Sequence, residues 1–456
     1  MRKILYAAAL AALTMCASAT WGEEVKTCPP GQTCPPITVE QAIAIAFENS
    51  PDLRIAADQL RKSKGLVAET KANFYPRFNA QVQETYQGPP VTLPIEGTTQ
   101  TLVPSFNTVG TVSTFLPLDI SNKLHYTTDI AEYQFQIDYL GLVTASEQLI
   151  FGVKAAYYNL LRACGQRDVA QAAVDVAVAR LKDTQAKFDA GTVAKFDVTR
   201  SQVEVQNLNQ DLLIAANRAM ISQSVLNRTM GIDVNSSTTV TKPNIAMEPV
   251  TVDIPARIKD AYVNRPELKA GSVAINQAQT NVRLQKTGLA PTLNLNGNVD
   301  VQSSSSGFTP GNMNWIISAT IAAPIWDAGI TKARVYQARA DVSKSQDTLT
   351  QSQLRVAQEV RNAALTLQEA GQRLKTTADG VALAEEALRL ASVRYDAGIA
   401  TLVEVTDAES ALTQAKFNNV AAQFDYAIAL ADLQRSTGMQ PELTKLQLLG
   451  PKPVTL

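Results

Sequence analysis

The sequence is poor in the residues that enzymes use for chemistry. His125 is its only histidine, and the chain has neither a GxxxxGK[ST] phosphate loop nor a nucleophile motif. Aromatic residues make up only 6% of the chain, and the formal net charge is −1. These shortages argue against catalysis and against nucleic acid as a partner. We therefore expect a protein that is not an enzyme and that needs no cofactor or metal.

Long apolar runs are also scarce. The longest one, residues 4–13, follows Arg2 and Lys3 and precedes Ala17-Ser18-Ala19, which matches a cleavage site. Residues 1–19 are therefore predicted to be a signal peptide, with lipidation of Cys16 as the alternative. No later run has the length of a transmembrane helix, so any membrane-spanning part must consist of strands.

Cysteine is used sparingly and locally. Cys28 and Cys34 lie in a Cys/Pro-rich segment, residues 20–37. In an oxidising compartment a local disulfide is the favoured interpretation. A metal site is less favoured, because no histidine or acidic cluster accompanies the pair.

What the chain does contain is a long internal repeat. The segment 188–191, Phe-Asp-Ala-Gly, returns 207 residues later as Tyr-Asp-Ala-Gly at 395–398. Near the start of each copy, 49–53 matches 264–268 at a spacing of 215 residues, so the first copy has eight extra residues. A repeat of this length fixes the architecture. It predicts a first repeat at 38–240, a second at 241–440, and a C-terminal tail at 441–456.

Each repeat contains two segments with strand periodicity. Apolar residues alternate with Asn and Gln in predicted β-hairpins at about 74–116 and 291–323, and the pattern is weakest near 106–116. One apolar face and one polar face are what a strand between lipid and water needs. An ordinary sheet packed on a core is the alternative.

The remaining segments are helical. Thr38 begins one helix, and Pro51 begins another that continues to about Ala72. Long stretches without proline predict helical hairpins at about 121–230 and 327–437, whose first helices are about 100 Å long. Heptads in the returning helices, such as Val198, Val205 and Leu226, predict antiparallel coiled coils.

Four strands cannot close a barrel, and open sheet edges are not tolerated in lipid. If the strands enter a membrane, several copies of the chain must assemble, and three copies would supply twelve strands. The polar faces would then line the interior, and the linker with Gly88-Pro89-Pro90 would lie outside the cell.

The repeat order, the paired tips at 188–191 and 395–398, and the segment Val403-Glu404-Val405-Thr406-Asp407-Ala408 resemble the TolC-type outer-membrane efflux protein family. The resemblance implies a trimer whose twelve-stranded β-barrel, with four strands per chain, continues into an α-helical coiled-coil tunnel in the periplasm. It implies an exit channel of a tripartite efflux system, with a periplasmic adaptor and an inner-membrane transporter as partners. The alternatives are the outer-membrane duct of type I protein secretion and a periplasmic coiled-coil adaptor without a pore.

The tips carry the candidate site residues. Gly191 and Gly398 are predicted left-handed caps of the long helices. The resemblance implies that Glu404 and Asp407 form acidic rings at the channel constriction, although Thr401-x-x-Glu404 also reads as a capping box. It further implies a gate latch that includes Asp197 and Tyr395. The arginine of that latch is replaced here by Ala400, and Lys195 is a candidate substitute.

Overall fold

A computed structural model describes residues 36–86, 88–95, 98–103, 105–243, 252–302 and 313–439. The predicted signal peptide, Cys28, Cys34 and the C-terminal tail lie outside these residues. Within them, no helix is both long enough and apolar enough to cross a membrane. Two compact units are present: Met1–Ser50 with Ala156–Ile245, and Pro51–Ala155 with Ala246–Leu456.

The first two helices begin where the sequence predicts, and the second also ends at the predicted residue, Ala72. Helix α1 (Val39–Asn49) starts at a capping box, because the Thr38 N–H donates to the Gln41 side-chain oxygen (2.9 Å) and the Gln41 N–H donates to the Thr38 hydroxyl (3.4 Å). Helix α2 (Pro51–Ala72) starts on a proline, which lacks the N–H that a first turn leaves unpaired.

A four-stranded antiparallel sheet lies in the second unit. Its strands are β1 (Arg77–Tyr86), β4 (Phe106–Leu118), β5 (Thr292–Gln302) and β6 (Met313–Ala322), in the order β1-β4-β5-β6. One row of paired residues shows the polar face, and a neighbouring row shows the apolar face. The polar row is Gln81, Thr111, Asp300 and Asn314, and the apolar row is Ala80, Val112, Val299 and Trp315.

The linker of the first repeat differs from the prediction of two strands and a loop. It contains two further strands, β2 (Val91–Ile95) and β3 (Thr98–Val103), which pair as a separate two-stranded sheet. Threonine and valine, which favour strands, are frequent there, but proline and glycine beside them read as loop signals. The extra residues of the first copy thus build structure of their own. Strand β4, whose sequence pattern is weakest, is the longest of the six described strands.

Helices make up most of the remaining described chain. The long hairpins are α3 (Lys123–Asp189) with α4 (Lys195–Met230), and α7 (Ile330–Asp396) with α8 (Leu402–Ser436). Between them lie α5 (Ile254–Asn264), α6 (Pro266–Lys286) and a 3-10 turn at Thr287–Leu289. The heptad prediction is confirmed at the seam of α4, where Val198, Val205, Ala219 and Leu226 are buried. In α8 the buried seam residues are Val405, Ala422, Tyr426, Ala429 and Leu433.

The two hairpin bases use the same backbone motif. Gly231 and Gly438 follow α4 and α8 with φ of 74° and 68°. Each glycine donates its N–H to the residue three positions earlier, and the next residue donates to the residue five positions earlier. These are Schellman caps, for which glycine is favoured because the conformation is left-handed. A Cβ on Gly231 would lie 2.6 Å from the Asn49 carbonyl oxygen, and one on Gly438 would lie 3.1 Å from the Asn264 Cβ.

The base of the second hairpin also contains buried charge. The Arg265 side chain is only 4% exposed, and its guanidinium lies 2.7 Å from both the Glu267 and the Glu359 carboxylates. It also donates to the main-chain oxygens of Arg435 and Ser436 at the end of α8. Nearby, burial and the negative charge of Glu267 raise the pKa of Glu147 to about 7, against the opposing charges of Arg265 and Arg435.

Candidate functional site at the hairpin tips

The first tip connects α3 to α4 through residues 190–194. Gly191 has φ of 72° and donates to the Phe188 oxygen (2.8 Å), while the Thr192 N–H donates to the Lys187 oxygen (2.9 Å). This is a Schellman cap, so the left-handed role predicted for Gly191 is what the backbone shows. Helix α4 begins after Ala194, which has no side chain that can cap it.

The second tip repeats this geometry 207 residues later. Gly398 has φ of 74° and donates to the Tyr395 oxygen (2.9 Å), while the Ile399 N–H donates to the Arg394 oxygen (3.0 Å). Unlike the first tip, the second has a polar N-cap. Thr401 and Glu404 form a capping box at the start of α8, with the Thr401 N–H donating to the Glu404 carboxylate (3.3 Å).

The two candidate ring acids have different surroundings. Glu404 lies 3.6 Å from the Arg394 guanidinium, in addition to its capping role. Asp407 lies one turn further along α8 and is exposed. Both carboxylates are open to solvent in the single chain, where they share one side of α8. Such a pair can attract cations and repel anions at a narrow opening.

The candidate latch residues lie in different compact units. Asp197 is half-buried in the first turn of α4, and Lys195 beside it is exposed. Tyr395 is half-buried in the last turn of α7, and Ala400 is half-buried in the second tip. The latch between Asp197 and Tyr395 stays a prediction. The candidate disulfide residues Cys28 and Cys34 lie outside the described part of the chain.

Sequence reasoning missed Arg394 as a neighbour of Glu404. The signal was present, because a basic residue ends the long helix of each copy: Lys187 in the first and Arg394 in the second. In the first tip Lys187 pairs back along its own helix with Asp183 (2.9 Å). In the second tip Arg394 reaches across the turn. The positions of these basic residues in the sequence do not show whether each pairs along its own helix or across the turn.

Comparison with known proteins assigns this chain to a family. The sequence model of the family described as "Outer membrane efflux protein" matches residues 42–231 and 257–439, which is most of the chain. The chain belongs to the outer membrane efflux protein family, and the resemblance seen in the repeat and tips is confirmed.

Individual relatives agree with this assignment. The chain is 25% identical over 300 residues to the outer membrane protein TolC of Vibrio cholerae, covering 64% of this chain and 68% of the relative. It is 21% identical over 397 residues to the cobalt-zinc-cadmium resistance protein CzcC of Cupriavidus metallidurans, covering 85% and 86%. The crystal structure of VceC from Vibrio cholerae superposes with a TM-score of 0.73 at 18% identity, covering 88% of this chain and 97% of that one.

These comparisons establish the coarse function and the location. The protein is an outer-membrane protein of a Gram-negative-type cell with a periplasmic extension, and its family consists of efflux channels. Its relatives are channels and not enzymes. The mainly helical fold with a small sheet, expected from the sequence, agrees with the solved channel structures.

Proposed function

We propose that three copies of this chain form the exit channel of a tripartite efflux system, which conducts substrates passively from the periplasm to the exterior. The sheet carries this proposal. Its outer strands, β1 and β6, each have an unpaired edge in the single chain. Its apolar face is exposed, with Phe78, Trp315 and Ile317 each about 70% accessible or more. Open edges and an exposed apolar face are costly in any environment unless neighbouring copies pair with the edges and lipid covers the face.

Three copies supply twelve strands, enough for a closed barrel with the Asn- and Gln-rich rows facing the interior. The hairpins α3–α4 and α7–α8 then continue the wall as a coiled-coil tunnel on the periplasmic side. The length of α3 and α7, 67 residues each, corresponds to about 100 Å. A periplasmic adaptor and an inner-membrane transporter complete the proposed assembly. No observation favours the protein-secretion duct or the adaptor without a pore.

A cysteine pair across the sheet edges tests the assembly. Within one chain β1 and β6 are separated by β4 and β5, so their Cα atoms are about 14 Å apart, beyond disulfide range. Gln81→Cys combined with Asn314→Cys or Ile316→Cys, in a background with Cys28, Cys34 and Cys164 all replaced by Ala, should therefore crosslink only between copies. Oxidation should give a ladder that ends at three chains on a denaturing gel.

The matched control is Gln81→Cys with Thr111→Cys, because these two residues are paired neighbours on β1 and β4 within one chain. This pair should close internally and give monomers. Detergent-extracted particles of one chain by mass photometry, together with no crosslink between copies, would remove the channel assembly.

At the periplasmic end we propose that Glu404 and Asp407 form the charge-selective constriction. Three copies place six carboxylates around one opening, and acidic rings favour cations. Glu404→Gln with Asp407→Asn should lower cation preference in planar bilayers. Glu386→Gln removes an exposed carboxylate of the same hairpin about 15 Å before the end of α7, and should leave selectivity unchanged. Equal selectivity in all three proteins would leave Glu404 with its capping role only.

We also propose that Asp197 and Tyr395 contribute to closing the tip, although Ala400 occupies the arginine position of the family. Asp197→Ala and Tyr395→Phe should each raise single-channel conductance modestly if closure depends on them without an arginine. Lys195→Gln tests the substitute cation in the same recording. Unchanged conductance in all three variants means that the closed tip is held by other contacts.

The comparisons give little information about the substrate that the channel conducts. The name of CzcC refers to cobalt, zinc and cadmium, but its identity to this chain is only 21%. We therefore propose small-molecule or ion efflux as the class and assign no particular cargo.

A further inference from the structure

Charged side chains are scarce on the four-stranded sheet. Its strands contain three of them, Arg77 and Glu84 on β1 and Asp300 on β5. Asp300 lies in the polar row that contains Gln81, and successive residues of a strand point to opposite faces. Arg77, four positions before Gln81, therefore shares the polar face, whereas Glu84, three positions after it, lies on the apolar face. Within the described strands of this sheet, Asp300 is thus the one acidic residue of the polar face.

The carboxylate of Asp300 is held from two sides. The Thr111 hydroxyl on β4 donates to its Oδ1 (2.7 Å), and the Asn298 side-chain amide donates to its Oδ2 (2.6 Å). Both donors are neutral, and no lysine or arginine among the described residues forms an ion pair with Asp300. The residue is half-buried in the single chain. The polar face therefore carries an oriented negative charge that no described cation pairs with.

The cation of the polar face lies at the other end of the sheet. Arg77 is the first residue of β1 and donates to the Asn73 side chain, whereas Asp300 lies two residues before the end of β5. The two residues are two strands apart and four positions apart along the strands, which corresponds to about 17 Å. This exceeds the screening length of about 8 Å at physiological salt, so Arg77 does not cancel the charge of Asp300.

We infer that Asp300 is a second charge-selective residue of the channel, which favours cationic over anionic substrates at the outer end of the barrel. The inference rests on the proposed function, because three copies with their polar faces inward place three such carboxylates around one lumen. Rings of carboxylates give a pore a preference for cations. The acidic ring proposed at the tip lies at the periplasmic end, so anions are disfavoured at both ends of the path.

The width of a barrel makes this selectivity dependent on salt. The screening length is about 30 Å at 10 mM salt and about 3 Å at 1 M salt. A cation about 10 Å from each of three carboxylates is enriched about fourfold at 10 mM salt and hardly at all at 1 M salt. At a narrow tip the ion passes close to the carboxylates, so selectivity persists in high salt. Salt dependence therefore separates the contribution of Asp300 from that of Glu404 and Asp407.

Reversal potentials in planar bilayers test the inference. The background is the full-length channel with Glu404→Gln and Asp407→Asn, so that the tip does not mask the barrel. Adding Asp300→Asn should lower the ratio of cation to anion permeability about threefold between about 10 and 30 mM KCl. The same substitution should leave the ratio unchanged between about 1 and 3 M KCl, because the charge is then screened.

Two variants in the same background control for the position of the charge and for the integrity of the sheet. Glu84→Gln removes an equal charge from the opposite face of the sheet and should leave the low-salt ratio unchanged. Thr111→Asp combined with Asp300→Asn returns a carboxylate to the same row, because the two residues are paired neighbours on β4 and β5. This exchange variant should restore the low-salt ratio.

The inference is wrong if Asp300→Asn leaves the low-salt ratio unchanged, and Asp300 then serves only to join β4 to β5. It is also wrong if Glu84→Gln lowers the ratio equally, because the charge then acts from outside the lumen. An exchange variant that fails to restore the ratio would assign the change to a disturbed sheet and not to the charge.

Failure of the proposed function gives a different result. A wild type that conducts ions, with a low-salt ratio that does not respond to Asp300→Asn, keeps the channel function and loses the role of Asp300. A wild type that never inserts or conducts loses both.

Discussion

The bases of the two hairpins share a backbone and differ in their side chains. Both end in a Schellman glycine, Gly231 or Gly438, that packs against the end of a short helix. At the residue after that helix the first copy has Ser50, and the second has Arg265 with its two carboxylate partners. Hydrogen-bonded backbone geometry is therefore the feature that the two copies share. Buried side chains have diverged: among the described residues, the second base contains the buried Arg265 guanidinium where the first has Ser50.

Arg265→Ala should produce the largest loss of stability, and it should do so at the second base alone. The substitution removes the buried cation from two partly buried carboxylates, of which Glu359 keeps only its longer contact with Arg355 (3.9 Å), so we expect a loss of about 3–5 kcal/mol in the free energy of unfolding. Thermal unfolding in detergent measures it. Arg257→Ala is the control, because its pair with Asp260 is exposed and should be worth less than about 1 kcal/mol. Equal losses for the two variants would mean that the buried network does not stabilise the second base.

Glu147 gives the second base a pH dependence. Its folded pKa of about 7 lies above its ordinary value of 4.5, so the folded state retains a proton that the unfolded state has already lost. Stability from this group is full below about pH 4.5 and declines as the pH rises to about 7, by an amount on the order of 3 kcal/mol. Glu147→Gln should remove this decline, measured as melting temperature from pH 4.5 to 8. Glu132→Gln, an exposed carboxylate of the same helix, should retain it. Parallel pH profiles for wild type and Glu147→Gln would contradict the assignment.

Alanine substitutions at the four cap glycines test whether the hairpin bases tolerate a side chain less well than the tips do. The glycines are Gly231 and Gly438 at the bases and Gly191 and Gly398 at the tips. Any alanine there costs about 1–2 kcal/mol, because its φ must stay positive. Gly231→Ala should cost more, about 2–3 kcal/mol, since its Cβ would meet the Asn49 carbonyl, whereas Gly191→Ala and Gly398→Ala meet nothing within 4 Å. Melting temperatures should rank Gly231→Ala lowest and the tip variants highest. A tip variant as unstable as Gly231→Ala would indicate tip contacts absent from the single chain.

The smallest expected effect compares the two tips. Thr401 caps α8, whereas the equivalent residue of the first copy is Ala194. Thr401→Ala should destabilise the second tip by about 1 kcal/mol, and Ala194→Thr should stabilise the first by a similar or smaller amount. The hydrogen-exchange rates of the main-chain amides measure the stability of each tip separately. Unchanged exchange in both variants would show that side-chain capping does not limit tip opening.

The sequence predicted the helix ends well, because their signals are local. Thr38 with Gln41, Pro51, Gly191 and Gly398 act within four or five residues of themselves. The faces of the sheet were also predictable, since a period of two assigns each residue to a side. The paired rows confirm that Phe78 and Trp315 lie on one face.

The strands β2 and β3 and the Arg265 network could not be predicted in this way. In the first case the pairing partners lie within a segment whose prolines and glycine indicate a loop. In the second case Arg265 contacts residues 94 and 170 positions away. No periodic pattern encodes which distant carboxylate a buried guanidinium will meet.

The duplication, the helix caps, the heptad seams and the two faces of the strands can all be found in the sequence, because each depends on neighbours in the chain or on a simple period. The fold was needed to show that Glu404 pairs with Arg394 and that Glu147 and Arg265 share a buried cluster. The physical reason is that electrostatic and packing energies depend on distances in space, and the fold brings together residues that the sequence keeps far apart.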